Sequence, residues 1–191
     1  GIQVWEGGRL TTFYGFKFVN DEFVYCNLSG PIPANIVNWS ELDNLHLSNN
    51  QLSGTLPSNI GNLEKLRGFS VTGNELSGTI PSSFWNLTSL ESIYLGENDF
   101  TGSIPSTIGS FSELNDFSIY SNNFYGEIPP SICDLNTIRY SFNNNNFCPP
   151  YPDCITDGFD QDITECEVMS SPGIYAFKQS LSKPSPNPFN P

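Results

Sequence analysis

Positive charge is what this chain has least of. Seven Lys and Arg stand against twenty Asp and Glu, for a net charge of −13, and only 14% of residues are charged at all. Nucleic acids and anionic lipid surfaces are bound through clustered cations, so neither fits this chain as a partner. Histidine occurs once, at His46. Any Ser-His-Asp or Cys-His arrangement would have to use it. It stands between Leu45 and Leu47, on a period-two stretch that turns it outward as a surface contact. No apolar run approaches the length that crosses a bilayer, so no membrane insertion by this segment is expected. No glycine-rich phosphate loop follows a strand. No signal peptide opens the chain, which starts inside a motif, and a piece of a longer precursor is expected. The expectation is a protein that is not an enzyme, with no cofactor and no metal.

What is present is a repeat. Asn50-x-Leu52-x-Gly54-x-Leu56-Pro57 returns at Asn74, Leu76, Gly78, Ile80 and Pro81. It returns again at Asn98, Phe100, Gly102, Ile104 and Pro105, and at Asn122, Phe124, Gly126, Ile128 and Pro129, in steps of 24 residues. A fixed period of this size predicts a solenoid, in which each coil buries its apolar face only against its neighbours. Upstream of each Asn runs a second set: Ile60, Leu63, Leu66, Phe69 and Val71, matched by Phe84, Leu87, Leu90, Ile93 and Leu95. The period-two pair in each, such as Leu45 and Leu47, predicts a short strand with both side chains inward. The Asn sits where the chain leaves the strand. Its amide has two donors and an acceptor, so Asn50, Asn74, Asn98, Asn122 and Asn145 can bridge adjacent coils as a ladder. The glycine permits a backbone conformation closed to other residues, and the following Pro removes a donor and extends the chain.

The combined pattern L-x-x-L-x-L-x-x-N-x-L-x-G-x-I-P resembles the plant-type leucine-rich repeat. The resemblance implies an α/β-type leucine-rich-repeat solenoid of about six coils. It would be right-handed, with a parallel β-sheet on the concave face, a 3₁₀ or extended convex side and little α-helix. Residues 23–147 are expected to form the repeats, after an irregular N-terminal capping segment at 1–22. Phe23, Leu28, Gly30, Ile32 and Pro33 fit the register, with Cys26 as a buried structural thiol where Asn belongs. Arg9 to Phe13 look like the approach to a first strand, with an insertion before Phe23. The last coil loses one residue, and the run Asn143 to Asn146 leaves its register open.

The remaining cysteines, Cys133, Cys148, Cys154 and Cys166, cluster after the repeats. They resemble the cysteine caps that close extracellular leucine-rich-repeat domains, which implies two disulfides, an exported location and a capping region at 148–167. Four cysteines permit three pairings, and sequence does not separate them. Cys148–Cys154 with Cys133–Cys166 is the expected one, with Cys26 reduced. A zinc site is the alternative, though the spacings match no standard zinc motif. Six acids between Asp153 and Glu167 are read as a solvated linker, since they lack the order of a calcium-binding loop. Residues 168–191 are read as a linker without protected amides. It ends in Pro186-Asn187-Pro188-Phe189-Asn190-Pro191, which resembles the start of the C-terminal sorting domain used in bacterial type IX secretion.

What is left for function is the concave surface. Its outward positions form columns: His46, Ser70, Tyr94, Ser118, Ser141; Ser48, Thr72, Gly96, Tyr120, Asn143; and Asn44, Gly68, Ser92, Asp116, Arg139. Tyrosine offers a large rigid surface with a polar tip and tends to be a binding hot spot. His46, Tyr94, Glu97, Asp116 and Tyr120 are therefore the candidate contacts for a protein or glycan ligand. The alternatives are a structural spacer or adhesin stalk without a ligand, and a fragment of a plant receptor ectodomain.

Overall fold

The computed structural model describes residues 2–6, 9–19, 22–135, 139–155, 161–164, 166–168 and 175–177. The chain begins with β1 (Ile2–Glu6), β2 (Arg9–Tyr14), β3 (Phe16–Val19) and β4 (Glu22–Tyr25). Short strands then alternate: β5 (Ser29–Gly30), β6 (Asn44–His46), β7 (Gln51–Gly54), β8 (Gly68–Ser70) and β9 (Glu75–Thr79). They continue as β10 (Ser92–Tyr94), β11 (Asp99–Gly102), β12 (Asp116–Ser118), β13 (Asn123–Glu127), β14 (Arg139–Ser141) and β15 (Asn146–Cys148). Two last strands follow, β16 (Cys166–Val168) and β17 (Tyr175–Phe177).

The period-two leucines make the first sheet. Its order is β1-β2-β6-β8-β10-β12-β14, parallel throughout except that β1 runs antiparallel to β2. Each strand is three residues in register with the next, so the inward residues stack coil on coil, with Leu45, Phe69, Ile93 and Phe117 wholly buried. Six coils result. After each ladder Asn the chain straightens again, and these segments form a second parallel sheet, β5-β7-β9-β11-β13-β15. The sequence reading foresaw an extended segment there, not a sheet. The sheet forms because every coil reaches the same place 24 residues later with its backbone groups free. Gly78 shows why the turn needs glycine: its φ is +76°, and a Cβ there would lie 2.9 Å from Thr55.

The convex side carries 3₁₀ turns at Ala34–Asn38, Ile60–Asn62, Phe84–Asn86, Ser106–Ser110 and Pro130–Asp134. Each puts an apolar side chain inward: Ile36, Ile60, Phe84 with Trp85, Ile108 and Ile132 are buried. The proline before the turn holds extended backbone, as at Pro105 (φ −77°, ψ 153°), and the turn closes within a few residues. No described segment is an α-helix, and no helix is long and apolar enough to cross a membrane.

Both ends correct the sequence reading. The described residues before Phe23 are mostly strand rather than irregular: β2 is already the first strand of the solenoid, with Phe13 opposite Leu45 and Tyr14 opposite His46. Phe23 lies on the β3–β4 hairpin, which is inserted between that strand and its turn, so the repeat register begins at Phe13. Cys26 is half-buried rather than fully inward, and its N–H donates to Gly15 O at 2.9 Å. An apolar hollow of about 370 Å³ opens beside this first coil, lined by Phe13, Leu28, Ile32 and Trp39, whose rings Phe13 and Trp39 stack at 5.7 Å.

At the other end, Cys133 bonds Cys154 and Cys148 bonds Cys166, while Cys26 is free. The expected pairing was wrong, and the reason is direction. Cys148 ends β15 with its side chain wholly buried, facing the β16 strand that follows, whereas Cys154 sits exposed beyond Tyr151 and Pro152 and meets Cys133 at the end of the last convex turn. Tyr140 Oη donates to Cys154 O at 2.5 Å, and Tyr151 Oη donates to Phe147 O at 3.1 Å. The stretch taken as a solvated linker supplies a structural residue, Gln161. The segment beyond Cys166 is not without structure either: β16 pairs antiparallel with β17, which lies against β13 and β15. The tail motif at 183–191, and Asp157 and Asp160, lie outside the described residues.

Candidate functional site

The ladder sets the spacing on which the concave face is built. Asn98 Oδ1 accepts the Leu76 N–H at 3.0 Å, and its Nδ2 donates to Val71, Leu95 and Gly96 carbonyls at 3.0–3.1 Å. Asn74, Asn122 and Asn145 repeat this set, which places the ladder Asn of the last coil at 145 within the Asn143–Asn146 run. Asn50 reaches back to Gly15 O in place of a regular strand carbonyl. The sequence reading missed the last rung. Gln161 Oε1 accepts the Phe147 N–H at 3.1 Å and its Nε2 donates to Phe142 O at 2.8 Å, the two roles an Asn of a further coil would fill. Its one signal is chemical, an amide side chain placed after the repeats.

On this frame the outward residues fall into the expected columns. Ser92 pairs with Asp116 and Asp116 with Arg139; Ser70, Tyr94, Ser118 and Ser141 lie in one rank with His46. The column gains Tyr14, whose ring stacks on His46 at 5.0 Å with 10° between planes. Burial lowers the His46 pKa below its ordinary value, because it disfavours the charged imidazolium. Ser48 and Ser70 hydroxyls hydrogen-bond at 2.5 Å.

The charged residues of this face pair between coils. Arg139 grips Asp116 with two parallel bonds, Nε to Oδ1 at 2.7 Å and Nη2 to Oδ2 at 2.8 Å. The Arg139 bonds, with Tyr94 in the same cleft, hold Asp116 below the usual carboxylate range. Burial, and then the Asp116 charge, push the Tyr94 phenol up. Arg67 lies between Asp43, at 4.0 Å, and Glu91, which it hydrogen-bonds. Lys65 meets Glu41 at 2.7 Å on the flank. Tyr120 lies across Gly96, where a Cβ would meet ring atoms at 2.4 and 2.6 Å. Burial, and then the Glu97 charge, raise the Tyr120 phenol.

An open cleft of about 560 Å³ lies among Glu91, Ser92, Tyr94, Asn115, Asp116 and Arg139. The structure thus brings Tyr94, Asp116, Glu97 and Tyr120 onto adjoining coils and sets His46 apart, two coils before Tyr94 on the same face. Glu91, Asn115 and Arg139 join the cleft from the flanking columns. The four cap cysteines are disulfide-bonded, which leaves none as a thiolate ligand, and among the described residues no His, Cys, Asp and Glu group is placed to hold a metal.

Residues 40–100 match the family model described as leucine rich repeat. No curated protein sequence matches the chain. Among solved structures, the HAESA receptor kinase of Arabidopsis, in complex with the peptide hormone IDA and the co-receptor SERK1, is 41% identical over 62% of this chain and 20% of its own, with a TM-score of 0.60. The ectodomain of the Arabidopsis receptor kinase GASSHO1/SCHENGEN3, in complex with CASPARIAN STRIP INTEGRITY FACTOR 2, is 32% identical over 62% of this chain and 14% of its own, at 0.60. A chain of the Arabidopsis BIR3–SERK2 complex is 29% identical, covered over 80% of its length by 74% of this chain, at 0.60. The chain spans about a fifth or less of the two receptor kinase ectodomains. With two parallel sheets, 3₁₀ turns in place of helices and an unbroken asparagine ladder, the fold is a leucine-rich-repeat solenoid, similar in its repeats to the plant receptor ectodomains.

Proposed function

We propose that this protein is a non-enzymatic binding module of an exported, cell-surface or secreted protein, and that its concave face takes a protein ligand. The observation that carries the reading is the pair of tyrosines on that face. Tyr94 on β10 and Tyr120 just past β12 stand on adjacent coils, Tyr94 lining the cleft with Asp116 and Arg139 and Tyr120 packed across Gly96, so two large aromatic groups are presented with their freedom already restricted. Rings held this way lose little entropy when a partner covers them. The similarity to ectodomains solved with peptide hormones and co-receptors supports a protein as the partner. The two cap disulfides support an oxidising compartment. Export by a type IX route rests on the tail motif alone.

The test is capture of partners from the extracellular fraction of the source organism, comparing wild type with Tyr94→Ala/Tyr120→Ala. The variant is expected to recover at most about a tenth of the bound partner, since two hot-spot side chains carry ~1–2 kcal/mol or more each. Equal recovery by both proteins would remove the concave face as the site and leave the spacer reading.

A further inference from the structure

We infer that the Cys133–Cys154 disulfide is a thiol-exchange site on the surface of the cap, favouring thiols that carry an ammonium over those that carry carboxylates, while Cys148–Cys166 is a closed structural bond. The two bonds sit in opposite surroundings. Cys148 is wholly buried and Cys166 half-buried. Cys133 and Cys154 are both exposed, one at the end of the last convex turn and the other in the loop after Pro152. Together they line an open hollow of about 600 Å³ with Pro130, Tyr151, Pro152 and Asp153. Exchange needs a thiolate to reach a sulfur of the bond, so access decides which of two disulfides reacts. A small thiol fits the hollow, whereas reaching Cys148 requires β15 to open.

The reaction takes two thiolates. The first attacks one sulfur of the bond, forms a mixed disulfide there and expels the other cysteine as a thiolate. The second attacks the added sulfur, releases the reagent's own disulfide and frees the second cysteine. Both cysteine thiolates take up protons, so the protein gains two electrons and two reagent thiols are oxidised. The loop outlasts the cut because other contacts hold it. Ile155 is buried, and its N–H donates to Pro152 O at 2.9 Å. Tyr140 Oη and Tyr151 Oη donate to Cys154 O and Phe147 O. The two cysteines, whose Cα atoms lie 5.6 Å apart in the bonded state, therefore stay near enough to close again. Gln161 and Cys148–Cys166 continue to seal the end coil. Selectivity comes from charge. Asp134 follows Cys133 and Asp153 precedes Cys154, both acids are exposed, and no Lys, Arg or His lines the hollow. On a chain of net charge −13 these carboxylates repel an anionic thiol and favour one bearing an ammonium.

The full chain is treated at low salt with cysteamine, mercaptoethanol or glutathione, and the thiols formed are trapped with N-ethylmaleimide and assigned by peptide mass spectrometry. Cys26, free from the start, is scored apart. Each rate is divided by that thiol's rate with hydroxyethyl disulfide, which removes differences in intrinsic nucleophilicity. Cys133 and Cys154 are expected to label together, about tenfold or more faster than Cys148 and Cys166, with the circular dichroism spectrum unchanged. Cysteamine is expected to react fastest and glutathione slowest, about threefold apart per unit charge, with the spread closing at ~500 mM salt. Asp153→Asn is expected to narrow the gap between glutathione and cysteamine about twofold or more. Labelling of Cys148 and Cys166 at the same rate overturns the proposal. So does labelling of Cys133 and Cys154 only in step with loss of the dichroism signal. Equal normalised rates for the three thiols, or a gap that D153N leaves unmoved, overturn the charge selection.

Discussion

Asn98 makes four hydrogen bonds with one amide, all to backbone groups at the bend, and it is buried while making them. Removing it strands the Leu76 N–H away from water and leaves the Val71 and Leu95 carbonyls with only the bond each receives from Asn74 and Asn122. Asn98→Ala should therefore destabilise by about 1–3 kcal/mol, the cost of one unmet buried N–H with the neighbouring carbonyls less fully bonded. Asn50 is half-buried and serves the first coil, where water can reach the freed groups, so Asn50→Ala should cost clearly less. Urea unfolding of the two variants decides it: equal costs would mean that burial does not set the strength of a rung. This ladder was legible in advance, because one residue type recurs at one spacing. Gln161 was not. It performs the same task from a different residue type, off the period, and nothing short of the folded cap brings it to Phe147 and Phe142.

The elements most in need of support are the last ones. A solenoid's end coil has one apolar face without a neighbour. Here β15, the Gln161 rung, the buried Ile155 and the β16–β17 hairpin close it, with two disulfides tying the pieces together. Replacing Cys148 and Cys166 together by Ser should cost about 2–5 kcal/mol. The loss should appear first as faster hydrogen exchange in β14, β15 and β16, with β8 and β10 still protected, since each coil leans only on its neighbours. Uniform loss of protection across all six coils would show a more cooperative unit than nearest-neighbour packing allows. The existence of a two-disulfide cap was readable from four cysteines crowded after the repeats. Its connectivity was not, because pairing depends on which way Cys148 and Cys154 face, and that is set by β15 and the turn after it rather than by spacing.

For the molecule as a whole, charge is the unbalanced quantity. Each of the three solenoid cations spans two coils through an acid, so the pairs act as stitches along one flank: Glu41–Lys65, Glu91–Arg67 and Asp116–Arg139. These are exposed and worth little singly. The excess acids repel one another across the same surface, and at −13 this repulsion is the larger effect. Raising the salt from ~10 to ~500 mM shortens the screening length several-fold and should raise the thermal midpoint. A midpoint that falls would mean that the inter-coil ion pairs outweigh the repulsion.

The 24-residue period by itself determined the solenoid, the direction of its strands, the inward leucines and phenylalanines and the columns of the concave face. It could do so because each coil is a local unit whose contacts lie one period away, so a pattern along the chain is also a pattern in space. The β-hairpin inserted after Tyr14, the second parallel sheet, the Gln161 rung, the disulfide pairing and the bidentate joining of Arg139 to Asp116 were decided only by the tertiary structure. Each of these depends on how side chains and backbone groups from different coils, or from outside the repeat, are turned toward one another, and that orientation has no periodic signature.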